Sequence, residues 1–183
     1  MELSGRLTKE KVNKEITVIL YDLRSVRRIP LADIAEYFNE FNENGEHCHL
    51  MWRAYEIPIE EWHREVSRDI RNHYVGFYVN EKLAGIGRVS PRPNYSANGN
   101  LGYGLRPSMR GNGYAPVMLR LMEGFCKDIG MDLITACVDE NNGKSITTLM
   151  NAGYKPTGVV YDWIDGRKAI ELAFPINSYV GIM

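Results

Sequence analysis

The stretch GYGLRPSMRGNGYAPVML, Gly102 to Leu119, decides how the chain is read. A strand-like run ends in a glycine-rich loop with two arginines, and an apolar helix begins directly after it. Strand, glycine loop and helix in that order is a common way to hold a phosphate. A nucleotide-hydrolase P-loop needs G-x-x-x-x-G-K-[ST], and RGNGYA lacks the Lys-Ser/Thr ending. Gly143-Lys144-Ser145 spells that ending, but Val138 stands where its first glycine belongs. A dinucleotide fingerprint starts at Gly102 and Gly104 and fails at Pro107, where the third glycine should be. The pattern [QR]-x-x-G-x-[GA] is met by Arg110, Gly113 and Ala115. Gly111 and Gly113 can take positive φ, so consecutive amides can point into one concavity at a helix N-terminus. Arg110 and Arg106 would add charge. Pro116 falls in the first helical turn, where a missing N–H breaks no helical bond. The amides of residues 111–115 stay free for a diphosphate. The plain alternative is a structural strand-to-helix turn.

Around this loop the chain reads as one α/β domain. It has 183 residues, 44% of them hydrophobic and 25% charged, as in an ordinary globular protein. The formal net charge of −1 gives no general attraction to nucleic acid or an anionic membrane. No window approaches the roughly 18 apolar residues of a membrane span, and no signal peptide is evident. Cys48, Cys126 and Cys137 have neither disulfide-framework nor metal-ligand spacing, which suits a reducing cytoplasm. Residues 1–14 are polar and lysine-rich and are expected to be a loose tail.

ITVILYDL (Ile16 to Leu23) reads as a buried strand. Leu31, Ile34, Phe38 and Phe41 are spaced for a helix whose other face carries Asp33, Glu36, Glu40 and, just beyond, Glu43. That acidic face is either solvated or a lure for a cationic amine. Trp62, Val66 and Ile70 suggest a second helix. HYVGFYVN and KLAGIGRVS flank Asn80-Glu81 as a hairpin, and PRPNYSANGN reads as a loop. A helix is expected from about Gly113 to Lys127, with Val117, Leu121 and Phe125 on one stripe and Met118, Met122 and Cys126 beside it. DLITACV is a core strand. NGKSITTLMNAGY is a short helix with Ile146, Leu149 and Met150 inward and Gly153 as its cap. Asp165-Gly166 marks a closing hairpin.

LGYGLRPSMRGNGYAPVMLRLMEGFCKDIGMDLITACVDENNGKSITTLMNAGY resembles the core of the GNAT superfamily of N-acetyltransferases. The match runs in order through a strand, Arg-Pro, the Arg-x-x-Gly-x-Ala loop, a helix ending near a glycine, a strand, Asn142-x-x-Ser145 and Gly153-Tyr154. It is similar to a branch of uncharacterised bacterial acetyltransferases and covers roughly residues 74–175, within a single domain of residues 1–183. The N-terminal part fits only loosely, as acceptor-side helices.

The resemblance implies a mixed, mostly antiparallel sheet splayed between its two central strands and flanked by helices. It implies acetyl-CoA, or another acyl-CoA, as acyl-donor co-substrate, with no metal. The diphosphate would lie on the amides of Gly111, Asn112, Gly113, Tyr114 and Ala115, with Arg110 beside them. The pantetheine arm would run along Gly104, Leu105 and Arg106, and Asn142 and Ser145 match CoA-side positions on the next helix. The acceptor would be a small-molecule or peptide amine, and a homodimer is an open assembly. A backbone N–H near Leu105 would stabilise an oxyanion. Many members place a tyrosine acid seven residues after the Asn, where this chain has Leu149. Tyr103, Asp139, Glu140 and Tyr154 are then candidates, with no sequence ground for choosing among them. That gap keeps a non-catalytic acyl-CoA-binding or sensing module as the rival.

His47 and His49 flank Cys48 at strand-like spacing, but no third metal ligand is near, so a polar loop or an acceptor-side role is the reading. Cys137 is expected to be a small packed residue in a buried strand facing the cleft.

Overall fold

The computed structural model describes residues 2–7, 16–22, 29–47, 54–92, 95–162 and 166–176. In chain order the elements are β1 (Glu2–Leu7), β2 (Ile16–Asp22), α1 (Leu31–Glu43), α2 (Ile59–Arg68), β3 (His73–Val79), β4 (Lys82–Arg92), β5 (Tyr95–Leu105), α3 (Tyr114–Asp128), β6 (Leu133–Asp139), α4 (Gly143–Asn151), β7 (Lys155–Asp162) and β8 (Lys168–Pro175). The eight strands form one sheet in the order β1-β2-β3-β4-β5-β6-β8-β7. Every neighbouring pair is antiparallel except β5 with β6. No helix among the described residues is long and apolar enough to cross a membrane.

The turn between β3 and β4 forms as the sequence predicts. Asn80 and Glu81 both have positive φ, 48° and 65°, which is the backbone a tight two-residue hairpin requires. The expected loop PRPNYSANGN is mostly strand: Pro91 and Arg92 end β4, and residues 95–100 begin β5. Pro91 is tolerated for a geometric reason. Arg106 N–H donates to Ala84 O, so the paired residues 84/106, 86/104, 88/102 and 90/100 exchange the β4–β5 bonds. The missing N–H of Pro91 therefore faces β3, whose pairing with β4 already ends at Val89. Residues 2–7, expected in a loose tail, pair antiparallel with β2 instead. The alternation of Leu3 and Leu7 with Glu2, Ser4 and Arg6 is the strand signal that the charge of the segment obscured.

Helices cover both sheet faces. On one side α3 and α4 bury Met118, Leu119, Met122, Phe125 and Leu149 against Val75, Phe77, Leu101, Ile134 and Leu172. Each such side chain contributes about 1.5–3 kcal/mol of burial free energy. Gly85 and Gly87 let α3 lie close: a Cβ at Gly87 would collide with Met122 Cε, and one at Gly85 would stand 3.0 Å from Met118 Sδ. On the other side α1 and α2 bury Ile34, Tyr37, Phe38, Phe41, Trp62 and Val66 against Tyr74, Tyr78, Leu83 and Ile86.

Three expected core positions differ. Ile70 lies past the end of α2 and is exposed, because the helix stops at Arg68 with Asp69 binding the amides of Arg71 and Asn72. Met150 is also exposed, since Leu149 takes the inward direction on this short helix. Leu121 is only partly buried, while Leu119 is fully buried. Asp165 lies outside the described residues, but β7 and β8 pair up to Asp162↔Lys168 as that hairpin requires.

Candidate active site

The sheet opens between β5 and β6. These strands pair only at Asn98↔Leu133, Gly99↔Ile134 and Asn100↔Thr135. Beyond that point β5 stays with β4 as far as Leu105, and β6 stays with β8 as far as Asp139. The two central strands thus part company after three residues. By the ladder alternation that starts from Arg106 N–H and Ala84 O, Leu101, Tyr103 and Leu105 turn their own N–H and C=O groups into this opening.

At the mouth of the opening β5 runs into a 3-10 turn, Pro107–Met109, and then the glycine loop. Gly111 and Gly113 both have φ of 75°, and Gly113 is the left-handed N-cap of α3. Gly111, Asn112 and Gly113 are exposed. The first amides of an α-helix have no acceptor within the helix, and Pro116 adds none. Loop and helix start therefore present main-chain donors at a positive dipole end.

The arginines are placed differently from the expectation. Arg106 is 1% exposed and its Nη1 donates to Glu36 Oε1 at 2.8 Å. Its Nε lies 3.4 Å from Glu40 Oε2, close enough for an ion pair but not aligned as a hydrogen bond. Its charge is taken up by α1, and its N–H by Ala84. Arg110 Nε donates to Leu105 O at 3.1 Å, its Nη1 contacts both Glu46 oxygens at 2.9 and 2.7 Å, and its guanidinium lies over the Phe41 ring. Neither guanidinium adds unpaired charge at the loop, so the donor set there is the main chain.

Three residues of the acidic face of α1 have partners within the fold. Glu36 and Glu40 hold Arg106, and Glu40 also accepts from Ser108 N–H at 2.6 Å. Asp33 accepts from the Tyr78 hydroxyl at 3.0 Å. The Arg106 hydrogen bond, helped by Lys82, holds the Glu36 carboxyl below its usual pKa. Tyr37 adds a further tie, donating to Gly104 O at 3.0 Å. Sequence reading missed this latch because its partners are some 70 residues apart; the only signal was an acidic stripe in α1 and an arginine at a strand end.

Across the opening, Asn142 caps α4: its side-chain oxygen accepts from Ser145 N–H at 3.1 Å. Ser145 Oγ lies 3.2 Å from the Tyr103 hydroxyl. Burial raises the Tyr103 pKa, with opposing hydrogen bonds to Ser145 and Thr148. The other three candidates lie elsewhere. Asp139 binds Arg167 and the Asn141 amide, which lower its pKa, the amide most. Glu140 is exposed. Tyr154 is 2% exposed in the core, stacked on Phe174 at 5.1 Å, and its pKa is pushed up by burial. Cys137 is exposed rather than packed, because it falls on the sheet face opposite Ile134, Ala136 and Val138; Asn100 Nδ2 lies 3.7 Å from its sulfur. His47 lies against Tyr55 with the rings tilted at 45° and their centroids 4.5 Å apart, while Cys48 and His49 lie outside the described residues.

A splayed strand pair, a glycine loop and a capped second helix are now in one place. The family model for an acetyltransferase (GNAT) domain matches residues 25–155. The chain belongs to the GNAT acetyltransferase family. The match takes in α1 and α2, which the sequence motifs covered only loosely. Among solved structures, this GNAT fold is similar to yncA of Salmonella typhimurium, solved with its cofactor acetyl-CoA, at TM-score 0.67 and 12% identity, over 90% of this chain and 96% of that one. It is similar to a spermidine N-acetyltransferase SpeG chimera from Vibrio cholerae and hSSAT, at TM-score 0.70 and 16% identity, over 90% and 98%. The GNAT domain of S. lividans PAT gives TM-score 0.67 at 12% identity, over 94% and 96%. No curated protein matches the chain in sequence.

Proposed function

We propose that this protein transfers an acetyl group directly from acetyl-CoA to an amine. The observation that carries the reading is the opening between β5 and β6, which leads onto the main-chain donors of Gly111 to Ala115. That donor set suits a diphosphate, and the unpaired edge of β5 suits an extended amide-bearing arm laid beside it as an added strand. In this reading Gly111, Asn112, Gly113, Tyr114 and Ala115 hold the diphosphate through their N–H groups. Tyr103 offers main-chain bonds along the arm, and Leu105, whose C=O accepts from Arg110 Nε, uses its N–H to polarise the carbonyl that is attacked. Asn142 and Ser145 border the CoA side from α4. Acetyl-CoA itself supplies the activated acyl group. Gly104 and Arg106 take part only by shaping β5, since their own N–H groups face β4.

Relatives named for spermidine support an amine as acceptor. Glu36 and Glu40 do not argue for a polyamine in particular, because Arg106 already occupies them. The buried Leu149, at the position of the family's tyrosine, favours one rival: an acyl-CoA-binding module without turnover. Incubating the protein with acetyl-CoA and a panel of amines, and following free thiol, separates the two. Acetyl-CoA-dependent thiol release with at least one amine is the expected result. Tight acetyl-CoA binding with no release on any amine would favour the rival.

A further inference from the structure

The family's usual acid is rooted on α4 at position 149. Here that position holds a leucine that is 0% exposed, packed in the main core. A phenol nevertheless reaches the same helix. Ser145 and Leu149 are four residues apart on α4 and so share a face one turn apart. Tyr103 comes to that face from the opposite wall, from β5, with its hydroxyl 3.2 Å from Ser145 Oγ and in hydrogen-bond reach of Thr148.

Its backbone position is equally specific. Tyr103 lies three residues past Asn100, the last residue of β5 paired with β6, and it packs against the core on the α3–α4 side. It therefore stands within the opening rather than at its rim. Of the four acid candidates that the sequence leaves open, it alone is so placed. Asp139 is bound by Arg167 and Asn141, Glu140 is exposed past the end of β6, and Tyr154 is sealed in the core.

We propose that Tyr103 is the proton donor to the departing CoA sulfur, a strand-borne phenol doing what other members do from α4. This rests on the acetyl-transfer reading given above. The amine nitrogen forms a bond to the acetyl carbon, the carbon–sulfur bond breaks, and its electron pair goes to sulfur. The Tyr103 hydroxyl gives sulfur its proton, leaving CoA as the thiol. The Ser145 hydroxyl, held at the phenol oxygen, steadies the transient phenolate, and solvent returns the proton. The proton lost by the amine goes to solvent or a base, so the sum is amide plus thiol. Burial keeps the Tyr103 phenol protonated at neutral pH, as a donor must be.

A test needs no acceptor. Calorimetric titration compares acetyl-CoA, CoA and desulfo-CoA, which lacks the sulfur, on wild type and Tyr103→Phe. A phenol that donates to the thiolate makes CoA bind roughly tenfold or more tighter than desulfo-CoA as pH is raised toward the thiol's own pKa. In Tyr103→Phe that pH-dependent preference should vanish, while acetyl-CoA affinity stays within about threefold of wild type, since only a weak contact to the thioester is lost. With the amine that wild type acetylates fastest, kcat of the variant should fall roughly 100- to 10,000-fold and lose its alkaline limb. An unchanged CoA preference in the variant, or loss of acetyl-CoA affinity in parallel with kcat, overturns the assignment but leaves the transfer reading standing. Failure of wild type to bind acetyl-CoA at all overturns both.

Discussion

Arg106, at the end of β5, is buried at 1% exposure and donates to Glu36 of α1 over 2.8 Å. With Glu40 beside it and Ser108 N–H on Glu40, this ion pair fixes the strand end from which the glycine loop departs. Arg106→Ala should destabilise the fold by about 1–3 kcal/mol, mainly by emptying a buried position, since the Glu36 carboxylate left behind is itself 60% exposed. Urea unfolding measures it, and a midpoint equal to wild type would remove the latch. The pH sign follows from Glu36, whose folded pKa is depressed chiefly by the Arg106 hydrogen bond. Its contribution is present above the ordinary value of 4.5 and is lost as pH falls through the lower folded value. Glu36→Gln should therefore lower stability at neutral pH and flatten its loss in acid.

Gly113 has φ of 75° at the N-cap of α3. Gly113→Asp puts a carboxylate among the amides proposed for the diphosphate, and Asp both tolerates left-handed backbone and caps helices well. Acetyl-CoA affinity should fall by roughly tenfold or more, the effect of losing a charge-assisted contact and adding repulsion. The melting temperature should change little. Unchanged affinity in a calorimetric titration would take the anion site out of the account.

The fold was legible where local chemistry decides it. The Asn80-Glu81 turn and the apolar stripes of α1 and α3 depend on residues a few positions apart. It failed where partners are distant. Pro91 reads as a loop residue until the end of β3 at its side is known. Arg106 reads as a phosphate ligand until Glu36 and Glu40 are brought to it from the far end of the chain. Cys137 reads as buried because its strand is central, yet its sheet face is open there. Within the site, the loop was readable from its glycines, whereas the choice of Tyr103 among four acids needed the register of β5 against β6.

Glu123 on α3 lies beside the Tyr154 hydroxyl without a well-aligned hydrogen bond, and burial raises its pKa to about 7. The folded state then binds a proton that the unfolded state has released between the ordinary value of 4.5 and about 7. Stability from this group is full below 4.5 and falls as pH rises to about 7. Glu123→Gln should be close to neutral in acid. Above pH 7 it should stabilise by about 1 kcal/mol, a figure discounted for the partial solvent access of the site. Melting curves at two pH values decide it, and equal shifts at both would contradict the burial argument.

Leu149 fills a fully buried position, so a tyrosine placed there by Leu149→Tyr should not act as the acid. Over-packing at such a site costs about 1–3 kcal/mol. The expected result is a lower unfolding midpoint with no gain in turnover. Higher turnover in this variant would mean that α4, not β5, is the place for the acid.

Acetyl-CoA recognition by this fold is tested most directly by isothermal titration of the protein with acetyl-CoA, with NADH and ATP as controls. A single site with a dissociation constant in the roughly 1 μM to 1 mM range usual for enzyme substrates, selective over both controls, is the predicted result. No acetyl-CoA binding, with or without pooled amines present, or NADH binding tighter than acetyl-CoA, would contradict it.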